Sequence, residues 1–131
     1  MAQAHIQRAY MEFEEARRKL QEISVQQQKL QKHQATVLAQ LHENETVQAE
    51  FNLIKDDTEV YKMIGPTLVK QDAVEAKSNI DKRINYFKKE QSRIEQSNKD
   101  YEKQKEELQK KALGIQKWLS ENQENIRKLQ Q

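Results

Sequence analysis

Cysteine is absent from this sequence of 131 residues, and helix-breaking residues are scarce, with two glycines and one proline. Without cysteine the chain cannot form disulfides, thiolate nucleophiles or cysteine-ligated zinc sites. Few glycines and prolines, together with 34% charged and 35% hydrophobic residues, are typical of long helices and coiled coils. Low hydrophobicity is also the signature of disorder, and only the periodicity of the apolar residues separates the two classes.

Long apolar runs are also missing, and none approaches the length of a membrane span. The opening residues Met-Ala-Gln-Ala-His contain no signal-peptide core. Lys and Arg total 23 against 21 Asp and Glu, and the two signs are interspersed, whereas nucleic-acid binding predicts a basic stripe. We therefore expect a soluble cytoplasmic protein that binds neither nucleic acid nor a membrane.

Candidate catalytic and metal-binding residues are not found. The histidines are His5, His33 and His42, and their spacing does not place two of them on one turn of a helix, as a metal site would require. The sequence contains no glycine-rich phosphate loop, and its acidic residues are spread along faces that offer no pocket to shift their pKa values. We predict no enzymatic activity, no bound metal and no cofactor.

A heptad repeat fits residues 6–51 without interruption. Ten of its fourteen a and d positions are apolar, and the residues between them are mostly Gln, Glu, Lys and Arg. This pattern predicts a helix over residues 1–55 with a coiled-coil seam along one side. The a positions are Ile6, Phe13, Leu20, Gln27, Gln34, Leu41 and Gln48, and the d positions are Ala9, Ala16, Ile23, Leu30, Val37, Asn44 and Phe51.

A second heptad repeat follows and predicts a helix over residues 72–131. Its d row is apolar except for Asn122, while its a row is polar in the middle, so this seam is narrower than the first. The d positions are Ala73, Ile80, Phe87, Ile94, Tyr101, Leu108, Ile115, Asn122 and Leu129, and the a positions are Lys77, Ile84, Gln91, Asn98, Lys105, Ala112, Leu119 and Ile126.

Residues 58–71 interrupt the heptads and predict a β-hairpin. Gly65 and Pro66 stand between two short runs rich in β-branched and aromatic residues. In a two-residue loop, Gly65 takes the φ > 0 position of a type II′ turn and the fixed φ of Pro66 suits the next position. The predicted register pairs Ile64 with Thr67, Met63 with Leu68, Lys62 with Val69 and Tyr61 with Lys70.

Both faces of the predicted hairpin are largely apolar. An isolated two-stranded hairpin is marginal in water, and this one leaves two strand edges unpaired. The sequence therefore predicts partner strands from other chains. One face carries Val60, Ile64, Thr67 and Val69, and the other carries Tyr61, Met63 and Leu68.

The short linker predicts that the two helices fold back on each other as an antiparallel coiled coil, so that residues 1–131 form one domain. Two registers satisfy the layering of such a pair, and the sequence does not choose between them. In both registers Gln27 and Gln34 lie near the level of Gln91 and Asn98. Such a polar belt lowers stability but can fix the register.

Larger apolar side chains gather near the two ends of the chain, at the free tip of the predicted coiled coil. Tyr10 and Trp118 flank the seam, and two interpretations stay open: they cover the seam, or they bind another protein. Gly114 weakens its helix by about 1 kcal/mol relative to Ala, so we expect the tip to bend or fray. The apolar tip residues are Ile6, Tyr10, Phe13, Ile115, Trp118, Leu119, Ile126 and Leu129.

The hairpin block resembles the prefoldin family, and in particular its β class. The similarity lies in residues 59–71, Glu-Val-Tyr-Lys-Met-Ile-Gly-Pro-Thr-Leu-Val-Lys-Gln, with Asn-Glu-Thr-Val at 44–47 before it and Ile-Asp-Lys-Arg-Ile at 80–84 after it. The plan of helix, single hairpin and helix covers essentially the whole chain. The α-class subunits of this family carry two hairpins, for which the interval between Phe51 and Asp72 is too small.

The resemblance implies a subunit of a heterohexameric, ATP-independent chaperone. In that family the hairpins build a β-barrel base, and coiled-coil tips hold unfolded clients such as actin and tubulin for transfer to the cytosolic chaperonin. The fold class is then mainly α, a long antiparallel two-helix coiled coil joined by one β-hairpin that contributes strands to an oligomeric base. The implied assembly residues are Val60, Tyr61, Met63, Ile64, Leu68 and Val69 around Gly65 and Pro66, and the implied client-binding residues are the tip residues without Leu129.

An adaptor coiled coil without affinity for unfolded proteins is the alternative. Periodicity alone does not distinguish it from a chaperone subunit. The hairpin favours the chaperone, because a plain adaptor has little reason to interrupt its heptads with two β-rich runs around Gly65 and Pro66.

Overall fold

A computed structural model describes residues 2–55 and 57–129 of the chain. They form helix α1 (Ala2–Leu53), strands β1 (Val60–Ile64) and β2 (Thr67–Gln71), helix α2 (Ala73–Glu121) and the short helix α3 (Gln123–Leu129). This confirms the predicted fold class of two long helices with one antiparallel hairpin between them. The predicted helix ends at residues 1 and 131 lie outside the described residues.

The chain divides into two compact units. The terminal unit consists of Met1–Leu30 with Gln96–Gln131, and the hairpin unit consists of Gln31–Glu95. In each unit a segment of α1 packs against a segment of α2. That residues 1–131 behave as a single domain stays a prediction.

The core of the terminal unit is the seam between its two helical segments. On α1, the buried residues are Ile6, Ala16 and Ile23. Because one helix alone cannot bury its own side chains to this extent, the segment of α2 must cover them. Gln27 Nε2 donates a hydrogen bond to Glu102 Oε1 at 2.8 Å, which joins residues near opposite ends of the sequence. Ala9 and Ile115 line one groove, so earlier residues of α1 meet later residues of α2, and the pairing is antiparallel, as predicted.

The hairpin unit has a seam of the same kind. Val37 and Leu41 of α1 are buried, as are Ala76, Ile84 and Ile94 of α2. Two polar contacts bridge the helices of this unit. Gln48 Nε2 donates to Asp81 Oδ1 at 2.8 Å, and His33 Nε2 lies 3.1 Å from Glu90 Oε1.

The predicted heptad frame of α1 is confirmed, because all fourteen of its a and d side chains are buried or half-buried. In the second frame, the side chain of Leu129, the last predicted d position, lies outside the described residues. Among its described side chains, this frame departs from prediction at Lys77 and Asn98, which are exposed. The expected polar belt is therefore wrong at Asn98, and Gln27 is bonded instead to Glu102, on the flank of the seam. A polar or charged side chain at an a position gains more by staying in water than by filling the apolar seam.

The C-terminal helix is interrupted where the heptads predict one helix. The break lies at Asn122, between α2 and α3, in the tip region that was expected to bend or fray. Asn122 Nδ2 donates to the Trp118 carbonyl at 2.8 Å, and the Asn122 main-chain N–H donates to the same carbonyl at 3.0 Å. The Ile126 main-chain N–H also donates to the Asn122 carbonyl at 3.1 Å, so main-chain bonds still bridge the interruption and the break is confined to Asn122 itself.

Gly114→Ala should stabilise the protein. A Cβ built at Gly114 meets no atom within 4 Å, so alanine gains helix propensity without a clash. We expect the free energy of unfolding to rise by about 1 kcal/mol, measured by thermal or urea unfolding followed by circular dichroism. Gly65→Ala is the matched comparison, because its φ of +59° should make the same change destabilising by about 1 kcal/mol. A loss of stability at position 114 would contradict the open packing there.

Charged side chains on the helix surfaces pair mostly with neighbours one turn away. Arg8 lies 3.3 Å from Glu12, and Lys19 lies 3.2 Å from Glu15, where it lowers the pKa of the Glu15 carboxyl. Exposed pairs of this kind contribute little to stability because solvent screens them, and they support the helices only locally. Among the described residues, no helix combines the length and the apolar content that a membrane crossing requires.

Candidate assembly hairpin and terminal aromatic surface

The hairpin has the register that the sequence predicts. Tyr61 faces Lys70, Lys62 faces Val69, Met63 faces Leu68 and Ile64 faces Thr67, and the ladder extends to Val60 opposite Gln71. Gly65 has a φ of +59°, and Pro66 does not have a positive φ. This combination fits the predicted type II′ turn, in which only the first of the two loop residues needs φ > 0.

The apolar side chains of the hairpin point into solvent on both faces. Met63 and Leu68 are 68% and 63% exposed on one face, and Ile64 is 57% exposed on the other. Tyr61 and Val69 are also exposed, whereas Val60, at the end next to the helices, is half-buried. A contiguous apolar surface of this kind usually marks a protein-binding site.

Both outer edges of the sheet are open among the described residues, because the sheet has only the two strands β1 and β2. In an antiparallel pair, residues alternate between those that hydrogen-bond across the ladder and those whose main-chain groups point away from it. The closing pair of a two-residue turn, Ile64 and Thr67, bonds across the ladder. Tyr61 and Met63 on β1 therefore direct their N–H and C=O groups outward, as Leu68 and Lys70 do on β2.

A polar network tightens one face of the hairpin. The Tyr61 hydroxyl donates to Glu59 Oε2 at 2.7 Å, and Lys70 Nζ lies 3.5 Å from Glu59 Oε1. The hydrogen bond to Glu59 raises the pKa of Tyr61. Glu59 thus connects β1 to the opposite residue of β2 through side chains as well as through the ladder.

Glu59→Gln should lower the pKa of Tyr61 toward its ordinary value. The raised pKa means that the folded protein favours the neutral phenol. The contact therefore adds to the free energy of unfolding below the ordinary tyrosine pKa, and this stabilisation is lost as the pH rises through the raised pKa. We therefore expect the contact to be insensitive to pH near neutrality. A spectrophotometric titration of phenolate, with Tyr61→Phe to assign the signal and Glu75→Gln as control, measures the shift. An unchanged Tyr61 titration in Glu59→Gln would disprove the assigned cause.

The seven predicted client-binding residues occupy different environments in the terminal unit. Ile6 is buried in the seam, at 5% exposed. Phe13, Ile115, Leu119 and Ile126 are half-buried seam positions. Only Tyr10 and Trp118 are exposed, at 47% and 36%, so these two are the members of the set that another protein can reach directly.

Each exposed aromatic borders its own groove beside the seam. Trp118 lines a groove with Ala9, Glu12 and Gly114. Tyr10 lines a second groove, whose other residues come from the C-terminal helices and include Gln116, Leu119, Gln123 and Ile126. The aromatics therefore lie over polar and apolar seam residues while keeping part of each ring accessible.

Met11 and Leu113 are among the exposed apolar residues of the terminal unit that were not singled out from the sequence. Met11 is 73% exposed and Leu113 is 65% exposed. Both stand at outward heptad positions, and an apolar residue at such a position is the signal that would have identified them. Leu53 and Val74, next to the hairpin, are likewise 85% and 76% exposed and extend the apolar surface of the hairpin unit.

Comparison with known proteins gives consistent results. A family model described as Prefoldin subunit matches residues 7–117. The "Probable prefoldin subunit 6" of Caenorhabditis briggsae is 35% identical over 105 residues, which cover 80% of this chain and 82% of that protein. The "Prefoldin subunit 6" of Saccharomyces cerevisiae is 30% identical over 103 residues, covering 79% and 84%.

A solved structure shares the fold. The crystal structure of the prefoldin beta subunit from Thermococcus strain KS-1 superposes with a TM-score of 0.51, at 24% identity, over 88% of this chain and 92% of that one. At this identity the likeness concerns the fold alone. The family assignment follows from the family model and the curated relatives.

Proposed function

The chain belongs to the prefoldin family of chaperone subunits, and we propose that it works in a heterohexamer that holds unfolded proteins without ATP. Members of this family are non-enzymatic and assemble with other prefoldin subunits. For this chain, the proposal specifies that the hairpin makes the subunit contacts and that the terminal unit contacts clients. We also propose that the chain works in the cytosol and has no enzymatic activity.

The hairpin is the single observation that carries the proposal. It has apolar side chains exposed on both faces, including Met63 and Ile64, and two open edges. A hairpin of this kind is marginal in isolation, and added strands would bury its faces and satisfy its edges together. A shared β-barrel would supply these partner strands, whereas a simple adaptor coiled coil would not.

Client holding is assigned to the terminal unit. Exposed Tyr10 and Trp118 and the apolar Met11 and Leu113 present several small apolar contacts rather than one deep pocket. Contacts of this size bind weakly one at a time, and several subunits acting together raise the avidity. Such binding suits unfolded chains, with actin and tubulin as the proposed clients and the cytosolic chaperonin as the proposed acceptor.

Native mass spectrometry of the complex purified gently from its own cytosol tests the proposal. We expect this chain in one complex with five other small coiled-coil subunits. The same complex should suppress aggregation of denatured actin without nucleotide. A monomer or simple homodimer would instead leave the hairpin without partner strands and favour the adaptor alternative.

A further inference from the structure

The outward surface of α2 in the hairpin unit is basic. Between residues 78 and 93, the heptad positions that point away from the seam (b, c and f) contain no Asp or Glu. They contain Lys82, Lys89 and Arg93, with Tyr86 between the two lysines, and all four side chains are exposed. Over the whole chain the two signs of charge are interspersed, so this acid-free stretch is a local feature. We call these four residues the basic face.

The carboxylates beside the basic face are engaged by other residues. Asp81 accepts a hydrogen bond from Gln48 of α1 at 2.8 Å. Glu90 lies 3.1 Å from His33 Nε2 of α1 and 3.6 Å from Arg93 Nη1, so Arg93 is the one cation of the face with a carboxylate beside it. Among the described residues, neither lysine of the face forms an ion pair.

The same heptad row carries a second pair of lysines in the terminal unit, and their surroundings differ. Lys103 and Lys110 are also seven residues apart, but Glu106 and Glu107 stand between them. Lys110 Nζ lies 3.4 Å from Glu106 Oε1. In the basic face, the residues one turn from each lysine are Ser, Asn, Tyr and Arg. Because opposite charges one turn apart stabilise a helix, the basic face lacks a local support that the other pair has, and its charge is directed to solvent.

Tyr86 adds an aromatic contact to these charges. Its side chain is 60% exposed, and its ring meets Phe87 edge-on, with the ring centroids 5.3 Å apart and the planes at 71°. Phe87 is a half-buried seam residue, so the contact restrains the Tyr86 ring on the surface of the helix. A restrained tyrosine offers a large contact area to another protein at a low cost in conformational entropy.

Helix α1 of the same unit has the opposite charge. Residues 34–54 include no Lys or Arg, and Glu43, Glu45 and Glu50 are exposed there. A negatively charged partner is therefore repelled from α1 and attracted to the basic face of α2. The hairpin unit thus selects both the charge of the partner and the helix to which it binds.

The length of the basic face favours a peptide over a nucleic acid. Residues 78–93 cover about 24 Å of helix, and Glu75 precedes them while Glu95 follows. A nucleic acid carries a phosphate at every nucleotide and needs a longer basic track, which these two acids interrupt. A short acidic peptide can place carboxylates on Lys82 and Lys89, about 10 Å apart along the helix axis, and end before it meets either glutamate.

We propose that the basic face binds a short acidic segment of a protein outside the prefoldin complex. Carboxylates of this segment pair with Lys82 and Lys89, and an aromatic or apolar side chain between them lies against Tyr86. The basic face is on the outward surface of α2 and not on the hairpin or in the terminal unit. It therefore adds a binding site to the proposed assembly and client holding.

Fluorescence anisotropy tests the site, with a labelled oligo-glutamate peptide that has one central phenylalanine added to the assembled complex. Lys82→Glu with Lys89→Glu should weaken binding by roughly tenfold, because repulsion replaces attraction at both positions. Lys103→Glu with Lys110→Glu is the matched control, since it makes the same change in net charge at the same spacing, and its affinity should stay within roughly twofold of the unchanged complex. Equal weakening by the two variants would indicate general charge attraction and overturn the proposal, as would the absence of binding.

A labelled oligouridine RNA with the same net charge as the peptide provides the second arm. We expect the RNA to bind more weakly than the peptide and to respond equally to the two double variants. If the RNA binds more tightly and only Lys82→Glu with Lys89→Glu weakens it, the basic face is a nucleic-acid site and the proposal is wrong. Both variants should enter the complex, which size-exclusion chromatography checks, because neither pair of lysines lies on the hairpin.

Discussion

Replacing Ile64 and Val69 together by aspartate should abolish assembly with the other prefoldin subunits and leave the helices formed. The two side chains are 57% and 43% exposed in the single chain, so the change costs little before assembly. Inside a shared barrel, each lost aliphatic side chain forfeits about 1.5–3 kcal/mol, and each buried unpaired carboxylate costs several kcal/mol more. The expected loss of subunit affinity exceeds roughly a thousandfold.

Size-exclusion chromatography with the remaining subunits measures this effect, and circular dichroism reports the helix content. Val25→Asp with Leu38→Asp is the matched control, since these residues are 40% and 41% exposed on helix α1, outside the hairpin. The control should enter the complex. If the hairpin variant also enters the complex, the hairpin is not the assembly surface.

Replacing Tyr10 and Trp118 together by glutamine should weaken the holding of unfolded clients while sparing assembly. Both rings border grooves beside the seam and keep an exposed part, and glutamine preserves helix propensity. Loss of about 1–1.5 kcal/mol of apolar contact should reduce client affinity of the complex by roughly fivefold to tenfold. Suppression of actin aggregation, titrated against complex concentration, measures it.

The control for this prediction is Val25→Gln with Tyr86→Gln, which removes an exposed aliphatic and an exposed aromatic away from the two grooves. Client affinity should not change in the control. Thermal unfolding of the aromatic variant separates the two roles considered for Tyr10 and Trp118. Lower stability with unchanged holding would mean that the rings cover the seam and do not bind clients.

The sequence predicted the seam of α1 and the hairpin register position by position. Both follow from strict periodicities: a heptad assigns each residue to a face, and a two-residue turn at Gly65 and Pro66 leaves one way to pair the strands. The predicted turn conformation also agrees with the φ of Gly65. Local chemistry was sufficient for these features.

Features that depend on the level at which two helices meet were less predictable. The heptads allowed two registers, so the bond between Gln27 and Glu102 could not be chosen in advance. The break at Asn122 has no counterpart in the heptad pattern, and the side-chain bond of Asn122 to the carbonyl four residues back does not explain it, because Asn44 makes the same bond within the unbroken helix α1. At the tip, the sequence grouped Ile6 with Trp118 as client-binding residues because both lie near the ends of the chain. The heptad frame already placed Ile6 in the seam and Trp118 on its flank, and the structure buries the first and exposes the second.

The two-residue turn also bears on the order in which the chain folds. Across the seams, Gln48 bonds Asp81 over 33 positions, His33 meets Glu90 over 57, and Gln27 bonds Glu102 over 75. Closing a long loop directly costs more conformational entropy than closing a short one, but once the hairpin and the Gln48 contact exist, each later contact closes only a short additional loop. The helices should therefore pair first next to Gly65 and Pro66 and then progressively further from the turn. During synthesis the apolar stripe of α1 stays unpaired until α2 emerges, and the ends of the chain, which come together last, are the first to separate again.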